Sequence, residues 1–236
     1  MKKISIITVI IIILIIHFIY FTSELQLQKS PSLSDDGFII IDSHSKQKCL
    51  SYLPRNYVFV DYIYKIKGCT LSTFHRDVTS SSYIYKSKYP TYTFICYFNK
   101  GPLLSICPGS HKQTPFLFSR PKIIHSHTKH MGVLFNCDLV HAGVIDKNTT
   151  NSRYAEQFKI VHKDDLPIFS HLHKINKEKN HKCEIRSFYY ESILRKLSLY
   201  NSYLTNHVFT KYLQENQHNF FNKIMLFITN KDFYNK

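Results

Sequence analysis

Apolar residues along this chain fall into three kinds of spacing, and each predicts a different element. Ile4 to Phe21 is an almost continuous apolar run, ISIITVIIIILIIHFIYF, broken by Ser5, Thr8 and His17. A polar, serine-rich stretch follows from Thr22 to Asp36 and reads as a tether. From Gly37 the pattern changes to short β-branched and aromatic runs: GFIII, YVFVDYIYKI, TLSTF, TYTFICYF, GVLFNCDLV and RYAEQFKIV. Such runs predict strands and place a mainly β domain over residues 37–166. From Arg186 to Leu199 and from Tyr203 to Phe227 apolar positions recur at three and four, predicting amphipathic helices in a C-terminal extension, 167–236. Between strands and helices, HLHKINKEKNHK (His171 to Lys182) is expected to be a solvated basic connector.

The N-terminal run is long enough to span a bilayer, near the lower limit for a transmembrane helix. Lys2 and Lys3 precede it and Glu24 follows it. The positive-inside rule therefore predicts a signal-anchor over 4–21, a cytosolic tail over 1–3 and a lumenal or extracellular remainder. A cleaved signal peptide is the rival, but the run exceeds a usual signal core and no small-x-small cleavage site follows. The sequon Asn148-Thr149-Thr150 is consistent with lumenal exposure. That location would permit disulfides. The six cysteines show no CxxC or CxxH spacing, which argues against a structural zinc site. Cys96 and Cys137 lie inside predicted strands and read as small buried apolar residues. The formal charge of +15 comes from lysines spread along the chain rather than from an arginine-rich block. A solvated lysine-rich surface explains it, and no specific nucleic-acid partner is expected.

The candidate chemistry lies in four residues: His75 and Asp77 in FHRD, His141 in CDLVHAG, and Arg153 in NSRYAEQFKIV. On a strand, residues i and i+2 share a face, so His75 and Asp77 can reach one ion while Arg76 points away. A second histidine from another strand completes two imidazoles and one carboxylate, which leaves open positions on a non-haem iron. Val133, Phe135, Cys137 and Leu139 share the parity of His141, and Ala155 and Gln157 share that of Arg153. A rival pair, His162 and Asp164, has the same spacing. Its downstream histidines, His207 and His218, lie in a segment of helical periodicity, and no arginine follows at a matching distance.

With the motif CPGSHK (Cys107 to Lys112) included, the order HxD, PGSH, distal His, Arg resembles the phytanoyl-CoA dioxygenase group of Fe(II)- and 2-oxoglutarate-dependent oxygenases. The resemblance runs from about Phe74 to Leu166. It implies a double-stranded β-helix, or jelly-roll barrel. It further implies Fe(II) held by His75, Asp77 and His141, with Arg153 anchoring the distal carboxylate of 2-oxoglutarate. A guanidinium suits that role because it meets a carboxylate with two parallel hydrogen bonds and stays protonated when desolvated. Gly109 after Pro108 predicts a turn, and His111 is either a group behind the ligands or a plain loop residue. Tyr92 or Thr93 is expected to offer a hydroxyl to the cosubstrate; parity does not choose between them. The stretch between tether and His75 is shorter than the helical N-terminal region usual in that family, so the C-terminal helices are expected to supply the supporting layer.

The activity so implied is hydroxylation of an unidentified organic substrate, small-molecule or lipid-like, by O₂. Two alternatives stand beside it: a prolyl or lysyl hydroxylase of secreted proteins, and a non-catalytic membrane-displayed barrel.

Overall fold

The computed structural model describes residues 6–68, 73–113, 119–144, 153–181, 193 and 195–200. The elements in chain order are α1 (Ile6–Thr22), β1 (Leu25–Gln26), β2 (Phe38–Ile41), α2 (Lys46–Leu50), β3 (Tyr57–Phe59), β4 (Tyr62–Gly68), α3 (Ser82–Tyr85), β5 (Tyr92–Tyr97), β6 (Gly101–Ile106), β7 (Lys122–Ser126), β8 (Met131–Asn136), β9 (His141–Gly143), β10 (Arg153–His162) and β11 (Ile175–His181). The described chain is mainly β, as its alternating and β-branched runs predict. A small sheet has the order β1-β7-β6-β9, and a large one runs β11-β4-β10-β5-β8-β2, with β3 also pairing with β10.

The two sheets face each other across one apolar layer. Ile95 and Tyr97 of β5, Val133 and Phe135 of β8 and Ala155 of β10 meet Leu104, Ile106 and Ile124 from the small sheet. Alternation sends the neighbouring residues the other way. Phe94, Cys96, Leu134, Phe158 and Ile160 form a second cluster on the outer face of the large sheet, closed by Cys49, Leu53 and Tyr57. Cys96 and Cys137 are buried free thiols, as their positions predict. Val60, Tyr62, Val161, Phe169 and Leu172 form a further cluster.

Several expectations need correction. The stretch 22–36 is no free tether: Leu25 and Gln26 pair in parallel with Lys122 and Ile123, and Leu27 packs against the inter-sheet core. The basic connector is in large part a strand. β11 pairs with β4 in parallel from Ile175↔Tyr62 to His181↔Gly68, and Lys67 Nζ meets Glu178 Oε1 at 3.0 Å. A polar segment suits this place because an edge strand is protected by its charges. The strand expected over TLSTF lies mostly outside the described residues, as do the sequon, Cys69, Cys183 and the helix expected over 203–227. Of the helix expected over 186–199, residues 195–200 are helical, and Leu199 is buried against Phe74, Cys107, Val140 and Ala142.

The apolar N-terminal run does form a helix, α1, of 17 residues with exposed isoleucines on every side. Against the expectation of a transmembrane segment over 4–21, no helix among the described residues is long and apolar enough to cross a membrane. Over its described residues α1 extends about 26 Å at about 1.5 Å per residue, against the roughly 30 Å of a hydrocarbon core.

Candidate metal centre

His75 and His141 are joined as directly opposed residues in an isolated antiparallel bridge. The His75 amide donates to the His141 carbonyl and the His141 amide to the His75 carbonyl, each at 2.9 Å. Direct opposition places the two side chains on one face of the sheet. The Asp77 amide donates to the Cys137 carbonyl at 2.8 Å, so the His-x-Asp segment runs along the edge strand that delivers His141. His75, Asp77 and His141 thus form a cluster whose ligand atoms all lie within 4.8 Å of one another. The Nε2 atoms of His141 and His75 stand 3.6 and 3.9 Å from Asp77 Oδ1.

Both imidazoles are held in the orientation a metal requires. Nδ1 of His75 lies 2.8 Å from the Thr73 carbonyl, and Nδ1 of His141 lies 2.9 Å from the Leu139 carbonyl. A carbonyl accepts only, so Nδ1 carries a hydrogen and Nε2, facing Asp77, is the nitrogen available to a metal. Phe135 packs on the His141 ring with centroids 4.5 Å apart. Burial pushes the His141 imidazole below its usual value, against the opposing pull of Asp77, which favours the neutral form that binds metal. Burial alone would raise the Asp77 carboxyl. Lys159 foremost, then His141 and His75, outweigh burial and hold it well below the usual carboxylate range.

Arg76, between the two ligands, points away as strand alternation predicts, but it is not idle. It is buried, with 1% of its surface exposed. Its Nε donates to the Asp138 carbonyl at 2.7 Å, and Nη2 donates to the carbonyls of Ser110 and Gln113 at 3.0 and 3.1 Å. The Pro-Gly-Ser-His loop is thereby tied to the segment leading into His141, and Ser110 Oγ accepts from the Val140 amide at 2.8 Å. Gly109 takes the left-handed backbone expected of it, φ +73°. His111 is a loop-packing residue outside the metal cluster: it lies beneath Gly37 (φ +82°), where any Cβ would run into its ring.

Of the two hydroxyl candidates on β5, Thr93 faces inward and its Oγ1 donates to Asp77 Oδ2. Tyr92 faces outward, its ring 5.4 Å from that of Tyr57 in the outer cluster, so its expected place in the pocket is corrected. On β10, Arg153, Gln157 and Lys159 share the inner face. Gln157 Nε2 reaches Asp77 Oδ2 at 3.2 Å, and Lys159 Nζ reaches it at 2.6 Å. Lys159 escaped the sequence reading, although its parity with Arg153 was there to be seen. The rival His162 lies elsewhere, its ring 3.8 Å from that of Tyr89.

Arg153 lies on β10 of the large sheet, whereas His141 and Gly143 lie on β9 of the small one. Its guanidinium fills the space beside Gly143, where a Cβ would overlap it. Nη1 donates to the Leu103 carbonyl at 3.0 Å, while Nε is buried with no hydrogen-bond partner among the described residues. Gly143 lies two residues along β9 from His141, about 7 Å, a separation suited to a dicarboxylate that reaches from the metal to the guanidinium beside Gly143. The residues present therefore fit a divalent ion and an anionic ligand: three converging donors, and a shielded cation with a donor to spare.

No known family model and no curated protein matches the sequence. Similar solved structures include EvdMO1, at 12% identity over 48% of this chain with TM-score 0.38. AviO1 from Streptomyces viridochromogenes Tue57 matches at 17% identity over 50% of this chain with TM-score 0.33. A 2OG-Fe(II) oxygenase family oxidoreductase from Burkholderia pseudomallei matches at 10% identity over 59% of this chain and 95% of its own, with TM-score 0.37. This chain spans 29% of the length of EvdMO1 and 58% of that of AviO1. An oxidoreductase of the 2OG-Fe(II) oxygenase family is thus among the solved structures this mainly β chain is similar to, and with TM-scores below 0.5 its function has to be read from its own side chains.

Proposed function

We propose that this chain is a non-haem Fe(II)- and 2-oxoglutarate-dependent oxygenase acting on an organic substrate. The carrying observation is the His75, Asp77 and His141 cluster, with both Nδ1 atoms committed to backbone carbonyls and both Nε2 atoms turned toward one carboxylate oxygen. Two imidazoles and a carboxylate suit iron and leave three positions open. When bound, Fe(II) with 2-oxoglutarate and O₂ supplies the oxidising power to place oxygen on an unactivated C–H bond, with succinate and CO₂ as co-products. Arg153 binds the far carboxylate of the cosubstrate through its spare Nε–H, and Gly143 leaves it room. Thr93 and Gln157 orient the Asp77 carboxylate. Tyr97 and Phe135, buried on the inner face, keep water from the buried side of the site.

Within that class, the order HxD, PGSH, His, Arg supports a barrel of the phytanoyl-CoA dioxygenase kind and a small-molecule or lipid-like substrate. Substrate choice lies in loops that vary freely on such a scaffold. The test is anaerobic loading of the purified protein with Fe(II), followed by 2-oxoglutarate and O₂. Release of succinate that is lost in His75→Ala supports the reading. Iron binding without succinate would favour a non-catalytic barrel, and absence of iron binding would overturn the proposal.

A further inference from the structure

We propose that Lys159 is a positioning residue of the metal centre: with Thr93 and Gln157 it holds Oδ2 of Asp77, presents Oδ1 alone to the metal, and supplies the counter-charge that keeps the ligands assembled before metal arrives. The inference rests on the metal site proposed above and concerns a side chain that does not itself ligate.

Lys159 lies on the inner face of β10 with 1% of its surface exposed. Its ammonium is 2.6 Å from Asp77 Oδ2, 2.8 Å from Thr93 Oγ1 and 5.8 Å from the centroid of the Tyr62 ring. Three donors therefore converge on Oδ2: Lys159 Nζ, Gln157 Nε2 and Thr93 Oγ1. The other oxygen, Oδ1, is the one that faces Nε2 of both histidines. With Oδ2 so engaged, the carboxylate is restricted to a single metal bond. A carboxylate free to chelate through both oxygens would take a second coordination position. It would leave too few for a cosubstrate that chelates through two atoms and for O₂. The clamp thus guards an open position from behind the ligand.

The charge has a second consequence, opposite in sign with and without metal. In the absence of metal, Asp77 is a buried carboxylate, and Lys159 is the buried cation bonded to it. Removing one partner of a buried pair is strongly destabilising. Once a divalent cation is bound, the same ammonium is a like charge in a shielded pocket and weakens metal affinity. A lysine there trades affinity for a site that is formed in advance and stays open. A lysine that merely fills space in the core would change neither metal affinity nor coordination.

The test compares full-length wild type with Lys159→Met, which keeps the length of the stem, and with Lys159→Arg, which keeps the charge. Co(II) is the probe, read by its dissociation constant, by its visible absorption bands with and without 2-oxoglutarate, and by Tm with chelator or saturating Co(II). Lys159→Met is expected to lose Tm mainly in the metal-free form and to bind Co(II) at least tenfold more tightly. Its response to 2-oxoglutarate should weaken, and Lys159→Arg should return the Co(II) affinity toward wild type. Equal loss of Tm in both forms with unchanged Co(II) affinity and spectra would overturn the proposal. If Lys159→Met is unfolded without metal, recovery of the fold on adding Co(II) supports the counter-charge role, and failure to recover overturns it. Absence of Co(II) binding by the wild type would instead refute the metal site itself.

Discussion

His75-Arg76-Asp77 and His162-Lys163-Asp164 share one spacing and differ in everything else that matters to a metal. Asp77 is buried and meets Lys159, Thr93 and Gln157, whereas Asp164 has 60% of its side chain exposed. His75 gives its Nδ1 hydrogen to a carbonyl, which frees Nε2. His162 does the reverse: its Nδ1 accepts from the Asp164 amide at 3.3 Å, which leaves the hydrogen on Nε2. The backbone explains the divergence. His75 lies against the edge of a sheet, whereas His162 ends β10 and caps the short 3₁₀ turn Lys163–Asp165. Both pairs bring imidazole and carboxylate close, 3.9 Å for His75 and Asp77 and 3.5 Å for His162 and Asp164. It is the hydrogen-bond partner of the other nitrogen, and a second histidine from a neighbouring strand, that decide whether a ring can ligate.

That contrast can be broken most severely at the ligands. His75→Ala, Asp77→Ala or His141→Ala should each abolish Fe(II) or Co(II) binding, measured by equilibrium dialysis, while circular dichroism keeps the β signature. Retained binding in any of the three would remove that residue from the site. The next largest effect belongs to Arg153→Ala. It leaves a shielded carboxylate of the cosubstrate unpaired, a loss of roughly 2–5 kcal/mol, so 2-oxoglutarate affinity should fall about thirty-fold or more at 1.4 kcal/mol per tenfold. Metal affinity should change little, and Arg153→Lys should restore only part of the loss.

Gly143→Ala is a subtler version of the same experiment. The added methyl would overlap the guanidinium and push it aside. Overpacking of this kind costs about 1–3 kcal/mol, so 2-oxoglutarate affinity should drop roughly tenfold in calorimetric titration. An unchanged affinity would mean that Arg153 does not touch the cosubstrate. The smallest effect is expected at the rival pair. His162→Ala should leave metal binding at the wild-type level and cost about 1 kcal/mol of stability through the lost cap, read as a small fall in Tm. Loss of metal binding there would reverse the assignment of the two pairs.

Much of this site is legible in the sequence alone. His75, Asp77, His141 and Arg153 could be singled out from spacing and order, and alternation correctly turned Arg76 away from them. Alternation also implied that Thr93 and Tyr92 face opposite ways. Which of them faces inward depends on the partner strands, and a short strand apolar on both faces does not reveal that. Lys159 was missed because a lysine near the end of an apolar strand reads as a snorkelling surface residue. Its value as a buried cation depends on Asp77, far away in sequence. β11 was missed because its residues are polar on both sides and pair only at the edge of an existing sheet. The role of Arg76 in securing the Pro-Gly-Ser-His loop was hidden for a similar reason: its acceptors are three backbone carbonyls, and these leave no mark on side-chain composition.

The mutual amide bonds between His75 and His141 carry one further consequence. Each ligand's backbone secures the other, so the two imidazoles stay side by side while that pair is closed. Fraying of this edge of the small sheet would separate both ligands in a single event.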